Sequence, residues 1–277
     1  MTHTTGTLTA ADGLKLFTQT WLPAGDPKAA VVIIHGLAEH SGRYQHVAAF
    51  LAERGYAVHA MDLRGHGQSE GRRSYVDHYE IHLSDLYAYF ETVRAAQAAG
   101  RHFILGHSLG AALGLVFAGR YQYELDGLVL SGAAINLGAS IPAFLKSIAE
   151  VVVALAPWLP VLKLPVATIS KVPAVRQSYD TDPLNCRGRI RARMGMEVLN
   201  LAEAARQAAT LITIPALVLH GGADRLVDPS SLDDVYRLLA SPDKTKRLYE
   251  GLYHEIFNEP EKEQVLSDVV AWLEAHL

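Results

Sequence analysis

The fold is decided at Phe103-Ile104-Leu105-Gly106-His107-Ser108-Leu109-Gly110-Ala111-Ala112. An apolar run typical of a buried strand ends in a Gly-x-Ser-x-Gly core, and small and apolar residues that suit a helix follow it. Gly106 and Gly110 have no side chains, so a strand and a helix can approach closely across a strained turn. A serine at the tip of such a turn is exposed and held away from the backbone. The stretch therefore predicts a strand, a tight turn and a helix, with Ser108 as candidate nucleophile.

Composition and charge exclude several other classes of protein. The 277 residues are 49% hydrophobic and 19% charged, which is typical of a soluble globular chain. The net charge of -4 argues against nucleic-acid binding. Cys186 is the only cysteine, so no intrachain disulfide can form and a cytoplasmic location is predicted. Residues 1–6 lack the pattern of a signal peptide, and no apolar run reaches the ~20 residues that cross a bilayer.

Strand-like and helix-like segments alternate on both sides of the serine turn. Besides the strand before Ser108, strands are predicted at 15–21, 31–34, 56–61, 127–130, 215–220 and 246–249. Besides the helix after Ser108, helices are predicted at 43–54, 79–99, 230–239 and 261–277. This alternation indicates an α/β fold with a mostly parallel central sheet flanked by helices on both faces.

One segment, residues 134–212, breaks the alternation. It shows no clear strand–helix repeat and carries prolines at positions 142, 157, 160, 165, 173 and 183. We interpret it as an inserted cap, or lid, that interrupts a core formed by residues 1–133 and 213–277.

A serine hydroxyl needs a neighbouring base to become a nucleophile. In folds built around such a serine turn, the acid and then the histidine follow the serine in the chain. Asp224 directly follows the apolar strand at 215–220, and Asp228 is an alternative four residues further on. His254 follows the last predicted strand. The order predicts a Ser108, Asp224, His254 triad.

The other histidines and the backbone complete this interpretation. His220 lies within a strand and is interpreted as a buried, hydrogen-bonded group. No His-Glu-x-x-His motif or cysteine pair is present, so no metal site is predicted. An oxyanion hole needs two backbone N–H groups, and the amides of Leu37 and Leu109 are the candidates. Losing one such donor typically costs ~3 kcal/mol of barrier.

Several motifs together resemble the monoacylglycerol lipases of the α/β-hydrolase superfamily, including their bacterial members. They comprise His-Gly-Leu-Ala-Glu-His-Ser-Gly-Arg-Tyr at 35–44, Arg-Gly-His-Gly-Gln-Ser-Glu-Gly at 64–71, Gly-His-Ser-Leu-Gly at 106–110, Tyr-Asp-Thr-Asp-Pro-Leu at 179–184, Ala-Asp-Arg-Leu-Val-Asp at 223–228 and Tyr-Glu-Gly-Leu-Tyr-His-Glu at 249–255. The run after His35-Gly36 is the most specific of them. The likeness extends from about Leu14 to the C-terminus.

The resemblance implies the α/β-hydrolase fold and cleavage of monoacylglycerols to glycerol and fatty acid without a cofactor. It also implies a polar nook for glycerol, formed by residues at the matching positions Glu39, Arg43, His107 and Tyr179. Glu39 and Arg43 could instead form only an i, i+4 ion pair. The alternatives are a general carboxylesterase or lysophospholipase, and a ligand-binding protein of the same fold without catalysis.

The cap carries an apolar stripe that packs over the core or faces lipid. Its residues are Ile141, Phe144, Leu145, Ile148, Val152 and Leu155, with Trp158, Leu159 and Leu162 beyond. Residues 161–210 carry eight basic and four acidic residues, a local excess of +4. An apolar stripe beside a basic segment favours transient contact of the cap with an anionic membrane surface, which would make the protein peripheral to the membrane.

Overall fold

The computed structural model describes residues 1–97, 100–136 and 143–277. The strands are β1 (Thr2–Thr9), β2 (Lys15–Leu22), β3 (Ala29–Ile34), β4 (Tyr56–Met61), β5 (Arg101–His107), β6 (Gly127–Ser131), β7 (Pro160–Leu162), β8 (Ile190–Arg191), β9 (Ala216–Gly221) and β10 (Lys244–Tyr249). The helices are α1 (Gln45–Ala52), α2 (Tyr79–Ala96), α3 (Leu109–Tyr121), α4 (Ala143–Leu155), α5 (Pro173–Thr181), α6 (Ala192–Ala209), α7 (Ser230–Leu238) and α8 (Lys262–Glu274).

Eight of the strands form one sheet in the order β1-β2-β4-β3-β5-β6-β9-β10. The strands from β4 to β10 in this order pair in parallel, whereas β1 pairs antiparallel with β2 and β2 with β4. The predicted mostly parallel sheet is therefore confirmed. Because parallel strands share one carboxyl edge, the loops that follow β3, β5, β9 and β10 open on the same side of the molecule.

The sheet is covered on both faces, which explains why its central strands are continuously apolar. In β3, Ala29, Val31 and Ile33 pack with buried residues of α1 and α8. The alternate residues of β3 pack with α2, α3, α6 and α7 on the opposite face. All six residues of the strand are buried. The sheet is thus a rigid layer from which the loops at its carboxyl edge project.

The strand β1 is absent from the sequence prediction. Its sequence, Thr-His-Thr-Thr-Gly-Thr-Leu-Thr, has no apolar alternation because nearly all of it is exposed at the sheet edge. It is held by antiparallel pairing with β2. The helix predicted at 79–99 ends at Ala96, and residues 98 and 99 lie outside the described part of the chain.

The described part of residues 134–212 contributes no strand to the large sheet. It contains α4, α5 and α6, and the short strands β7 and β8 pair with each other in an antiparallel sheet of their own. The helix α6 packs against α3 and α2, and α4 packs against α6. No helix among the described residues is long and apolar enough to span a bilayer.

Candidate active site

The serine turn has the geometry that its sequence predicts. Ser108 lies between β5 and α3 with φ 54° and ψ -115°, a backbone conformation that non-glycine residues rarely adopt. A Cβ on Gly106 would lie 2.5 Å from the carbonyl oxygen of Gly110, and a Cβ on Gly110 would lie 2.1 Å from that of Ile34. Only glycine fits these two positions. The close packing presses α3 against the sheet and holds Ser108 at the carboxyl edge.

Two of the predicted triad residues are in direct contact. His254 Nδ1 lies 2.7 Å from Asp224 Oδ2, although the two residues follow different strands. Both side chains are buried, with 3% and 0% exposure. Asp224 Oδ1 accepts the backbone N–H groups of Leu226 and Val227 at 2.8 and 3.0 Å. The carboxylate is therefore fixed by its own loop and presents one oxygen to the imidazole.

The charge of Asp224 is stabilised by these contacts. Burial would raise the pKa of its carboxyl, but hydrogen bonds from His220 and His254 outweigh burial and hold the pKa well below its ordinary range. Asp228, the alternative acid, is exposed, and its carboxylate accepts the N–H of Ser230 at the start of α7. Of the two aspartates, the structure brings only Asp224 to His254.

The imidazole of His254 has a defined tautomer. A carboxylate can only accept, so Nδ1 carries a proton, and in the neutral form of the ring Nε2 keeps its lone pair. His254 Nε2 is buried and has no hydrogen-bond partner among the described residues. It therefore makes no direct hydrogen bond with Ser108 here, although both residues line the same cavity. Such bonds are often long in unliganded enzymes and tighten with substrate.

The residue before the serine, His107, supports the imidazole from the side. The two rings are 4.7 Å apart between centroids and tilted by 49°. His107 Nδ1 lies 3.2 Å from Ser131 Oγ at the end of β6. Burial, with His254 nearby, lowers the pKa of His107 to about 3, so the ring is neutral at physiological pH. It also lines the cavity, as expected for the predicted polar nook.

The two predicted oxyanion-hole residues, Leu37 and Leu109, follow the ends of β3 and β5. Leu109 is the first residue of α3, where a backbone N–H has no acceptor within the helix. Leu37 lies in the loop after β3 and lines the cavity together with Leu109 and Ser108. Within the described chain, neither amide donates a hydrogen bond to a protein acceptor outside regular helix and strand pairing.

Glu39 and Arg43 form the ion pair that their spacing predicts, with Arg43 Nη1 2.5 Å from Glu39 Oε2. The pair belongs to a larger buried cluster. Arg43 also makes two bonds of 2.7 Å to both carboxylate oxygens of Glu255. Glu39 Oε1 accepts the N–H of Gly36 and the hydroxyl of Tyr44 at 2.6 and 2.7 Å. Glu39 thus fixes the loop that carries Leu37 as well as lining the cavity.

Tyr179 reaches the same loop from α5. Its hydroxyl donates to the carbonyl oxygen of Ala38 at 3.0 Å, and the backbone N–H of Cys186 donates to that oxygen at 2.9 Å. Ala38 has φ 64° and occupies the left-handed region without being glycine. The ring of Tyr179 lies 5.0 Å from the guanidinium of Arg43. Of the four residues matched to the glycerol nook, Arg43 contacts Glu39 and Tyr179, and His107 lines the same cavity as Glu39 and Tyr179. Glu39 and Tyr179 also hold the Leu37 loop.

The site opens into a cavity of about 680 Å³. The floor of the cavity is defined as its lining residues in loops 36–39, 107–109, 225–227 and 254–255. The roof is defined as its lining residues between 148 and 199. Most of the roof is aliphatic and comes from α4, from β7 and the segment after it, and from α6: Ile148, Val152, Val153, Val161, Leu162, Leu164, Ile169, Val198 and Leu199. The volume suits a small organic ligand with a substantial apolar part. Cys186 does not line the cavity.

Two residues of the site escaped sequence reasoning. Glu255 follows the triad histidine and binds Arg43 across 212 positions of sequence. His220 contacts Asp224, as described below. The only sequence signal for these two residues was their place in the chain. Each lies near a strand end that is followed by a predicted triad residue. Among the described residues, no group of three or more His, Cys, Asp or Glu side chains could hold a metal ion.

A serine on a strained turn and a carboxylate–imidazole pair at the carboxyl edge of a mostly parallel sheet define a hydrolase of the α/β class. The family profile described as serine aminopeptidase, S33 matches residues 25–261. A monoacylglycerol lipase of Mycolicibacterium smegmatis is 38% identical over 272 residues, covering 96% of this chain and 95% of the relative. The human monoglyceride lipase is 33% identical over 269 residues, with 96% and 89% coverage.

A solved structure is also similar to this chain. The crystal structure of Paleococcus ferrophilus monoacylglycerol lipase superposes with a TM-score of 0.84 at 31% identity, covering 95% of this chain and 99% of that one. The chain belongs to the monoacylglycerol lipase family of the α/β-hydrolase superfamily, within the S33 group. The resemblance and the fold class predicted from the sequence are confirmed.

Proposed function

We propose that this protein is a serine ester hydrolase that cleaves monoacylglycerols to glycerol and fatty acid through an acyl-enzyme, without a cofactor. Residues 1–133 and 213–277 form its core, and residues 134–212 form its cap. The observation that carries the proposal is the buried Asp224–His254 hydrogen bond of 2.7 Å, whose histidine lines the same cavity as the strained Ser108. Family membership supports the choice of substrate.

The proposed chemistry assigns one role to each group. His254 Nε2 removes the proton of the Ser108 hydroxyl as its oxygen attacks the ester carbonyl, and Asp224 orients the imidazole and stabilises its charged form. The amides of Leu37 and Leu109 donate to the developing oxyanion. His254 then gives the proton to the leaving glycerol oxygen. Water, deprotonated by the same imidazole, releases the fatty acid in the second half of the reaction.

The two sides of the cavity fit the two parts of such a substrate. The aliphatic roof can cover an acyl chain, since apolar surface gains free energy when it leaves water. We assign the glycerol hydroxyls to Glu39, Arg43, His107 and Tyr179, whose side chains can all form hydrogen bonds. Glu39, His107 and Tyr179 line the cavity, and Arg43 lies behind them, bonded to Glu39. Bonds inside the cluster already engage Glu39 and Arg43, so these two residues present a fixed rather than an adaptable surface.

A substrate panel separates the proposal from its alternatives. We expect the highest kcat/KM for a monoacylglycerol, less for p-nitrophenyl butyrate and least for lysophosphatidylcholine. The opposite order would identify a general carboxylesterase or a lysophospholipase. Ser108→Ala should abolish all three activities. Failure of a fluorophosphonate to label Ser108 would favour a ligand-binding protein without catalysis.

We further propose that the protein is cytoplasmic and that its cap contacts lipid surfaces transiently. An apolar patch on the cap comprises Ile148, Val151, Leu155, Trp158, Leu159, Val161 and Leu162, which are between 43% and 75% exposed. Lys163 is exposed and directly follows the patch in the sequence, and Arg189 is exposed just before β8, the strand that pairs with β7. Arg191 donates a hydrogen bond to the carbonyl of Trp158. Ile141 and the side chains of Phe144 and Leu145, from the predicted stripe, lie outside the described residues.

Vesicle sedimentation tests this contact. The triple variant Leu155→Ser, Trp158→Ser and Leu162→Ser should bind vesicles of phosphatidylcholine and phosphatidylglycerol several-fold more weakly than the wild type. A control with Tyr123→Ser and Leu248→Ser changes exposed apolar residues away from the cap and should bind normally. Equal binding by the two variants would remove the patch from the proposal.

A further inference from the structure

A second histidine binds the triad aspartate. His220 Nε2 lies 3.0 Å from Asp224 Oδ2, the oxygen that also binds His254 Nδ1. The same nitrogen lies 3.2 Å from the carbonyl oxygen of Val227. The side chains of His220 and Asp224 are 1% and 0% exposed. The carboxylate is therefore shared between two imidazoles, one of which the mechanism leaves unused.

The partners of His220 fix its tautomer. A carboxylate oxygen and a backbone carbonyl can only accept hydrogen bonds, so Nε2 carries the proton and donates to both. Val227 in turn gives its own N–H to Asp224 Oδ1. Because His220 belongs to β9, which is buried throughout, its ring is anchored in the sheet while Asp224 lies in the loop that follows.

We propose that His220 is a positioning residue for the proposed triad: its Nε2–H fixes Asp224 Oδ2 and the 224–227 loop, and it limits how strongly the carboxylate attracts the proton of His254. The inference rests on the proposed function. A carboxylate that accepts two donors at one oxygen shares its negative charge between them. Without the Nε2–H of His220, the Asp224 carboxylate would interact with His254 alone. The proton affinity of the His254 imidazole would then rise.

Other charged and titratable groups surround the pair. They are His107 on β5, Glu255 next to His254, Arg43 paired with Glu255, and Asp228 at the start of α7. A substitution at His220 leaves all of them in place. A change in the pH profile of such a variant would therefore report the lost hydrogen bond.

The test compares His220→Met, which keeps volume but removes the donor, with His220→Gln, whose amide can donate from a similar position. For His220→Met we expect kcat to fall about 10-fold with KM within twofold, the scale seen when an outer hydrogen bond of a site is lost. The acidic limb of kcat/KM should move to higher pH by about half a unit. His220→Gln should restore both.

A loss of kcat with an unmoved acidic limb would mean that His220 only stabilises the fold, and would overturn the proposal. If His220→Met does not fold, ¹⁵N NMR of histidine-labelled wild type decides: His220 must be the Nε2–H tautomer, and Asp224→Asn must shift its signal together with that of His254. An Nδ1–H tautomer overturns the proposal. Wild-type protein that neither hydrolyses esters nor reacts with a fluorophosphonate would instead contradict the proposed function.

Discussion

The floor and the roof of the cavity are built from different chemistry. In the floor, His254 and Glu39 are buried polar groups, and Asp224 lies directly behind His254. The partners of these three residues lie between 2.5 and 3.0 Å away. In the roof, residues such as Val152 and Leu199 make non-directional apolar contacts. Polar groups in a dry interior must be matched one to one, whereas apolar groups need only fill space. The reaction should therefore depend on single atoms of the floor, and substrate choice on the volume under the roof.

The largest effect is expected from removing the nucleophile, and the contrast between floor and roof does not hold if this effect is absent. Ser108→Ala removes the nucleophile from the floor and should lower kcat by about 10⁵-fold, measured on a monoacylglycerol. Ser267→Ala changes an exposed hydroxyl on α8 that bonds only within its helix, and should have wild-type activity. Substantial turnover by Ser108→Ala would place the chemistry elsewhere.

The second prediction concerns the carboxylate. Asp224→Asn replaces an acceptor of two imidazole N–H groups by an amide, which disfavours the tautomer of His254 that leaves Nε2 free. We expect kcat to fall about 10⁴-fold. Asp228→Asn alters an exposed cap of α7 and should leave kcat unchanged. If the two variants lost activity equally, the assignment of Asp224 would be wrong.

The third prediction concerns Arg43, which lies behind the floor and pairs with two of its residues, Glu39 and Glu255. Arg43→Ala leaves Glu39 and Glu255 buried without their common cation, and should lower the free energy of unfolding by about 3–5 kcal/mol. Arg120→Ala removes the cation of an exposed pair with Glu80 and should cost less than about 1 kcal/mol. Urea denaturation of both variants measures the contrast, and equal losses would contradict it.

The fourth prediction uses pH. The ring of the buried His82 on α2 lies 6.2 Å from that of His66 between centroids, and burial lowers the pKa of His82 well below the ordinary value. Below about pH 6.5 the unfolded chain protonates this histidine while the folded chain does not, so stability falls with pH. The stability lost between pH 7 and pH 5 should be about 2 kcal/mol smaller in His82→Phe than in wild type.

Chemical denaturation at the two pH values measures this difference. His3→Ala changes an exposed histidine on β1 and serves as the matched control, with a pH response like that of the wild type. An unchanged pH response in His82→Phe would show that protonation of other groups accounts for the acid sensitivity.

The smallest expected effect lies in the roof. Leu199→Trp reduces the volume beside the aliphatic wall and should lower kcat/KM for long-chain monoacylglycerols about 10-fold while sparing a butyrate ester. Leu211→Trp, at an exposed position after α6, controls for added bulk. A uniform loss on all chain lengths would indicate damage to the floor instead.

The sequence predicts the central sheet and the order of Ser108, Asp224 and His254 because both follow from local patterns and chain direction. Apolar runs mark buried strands, and strands of a parallel sheet end at one edge. The sequence does not predict that Glu255 binds Arg43 or that Tyr179 bonds to the carbonyl of Ala38. Those contacts join positions 212 and 141 residues apart, so they depend on how the cap and the loops pack.

The exposed strand β1 could not be predicted from the sequence either. Its pairing with β2 depends on backbone hydrogen bonds, which leave no apolar pattern. The role of His220 could be predicted only in part. Its burial follows from its place in a strand, but its choice of partner depends on the turn that returns Asp224 over the end of β9.

The carbonyl of Ala38 links the segment above the cavity to the loop that carries Leu37. Its two donors, the Tyr179 hydroxyl and the Cys186 amide, both come from the segment that covers the cavity, and Ala38 adjoins the amide of Leu37. Lifting that segment must break both bonds and release a backbone held in an unfavourable conformation. If the proposed cap closes over a substrate, re-forming these two bonds would also fix the loop that carries Leu37, the proposed oxyanion-hole donor.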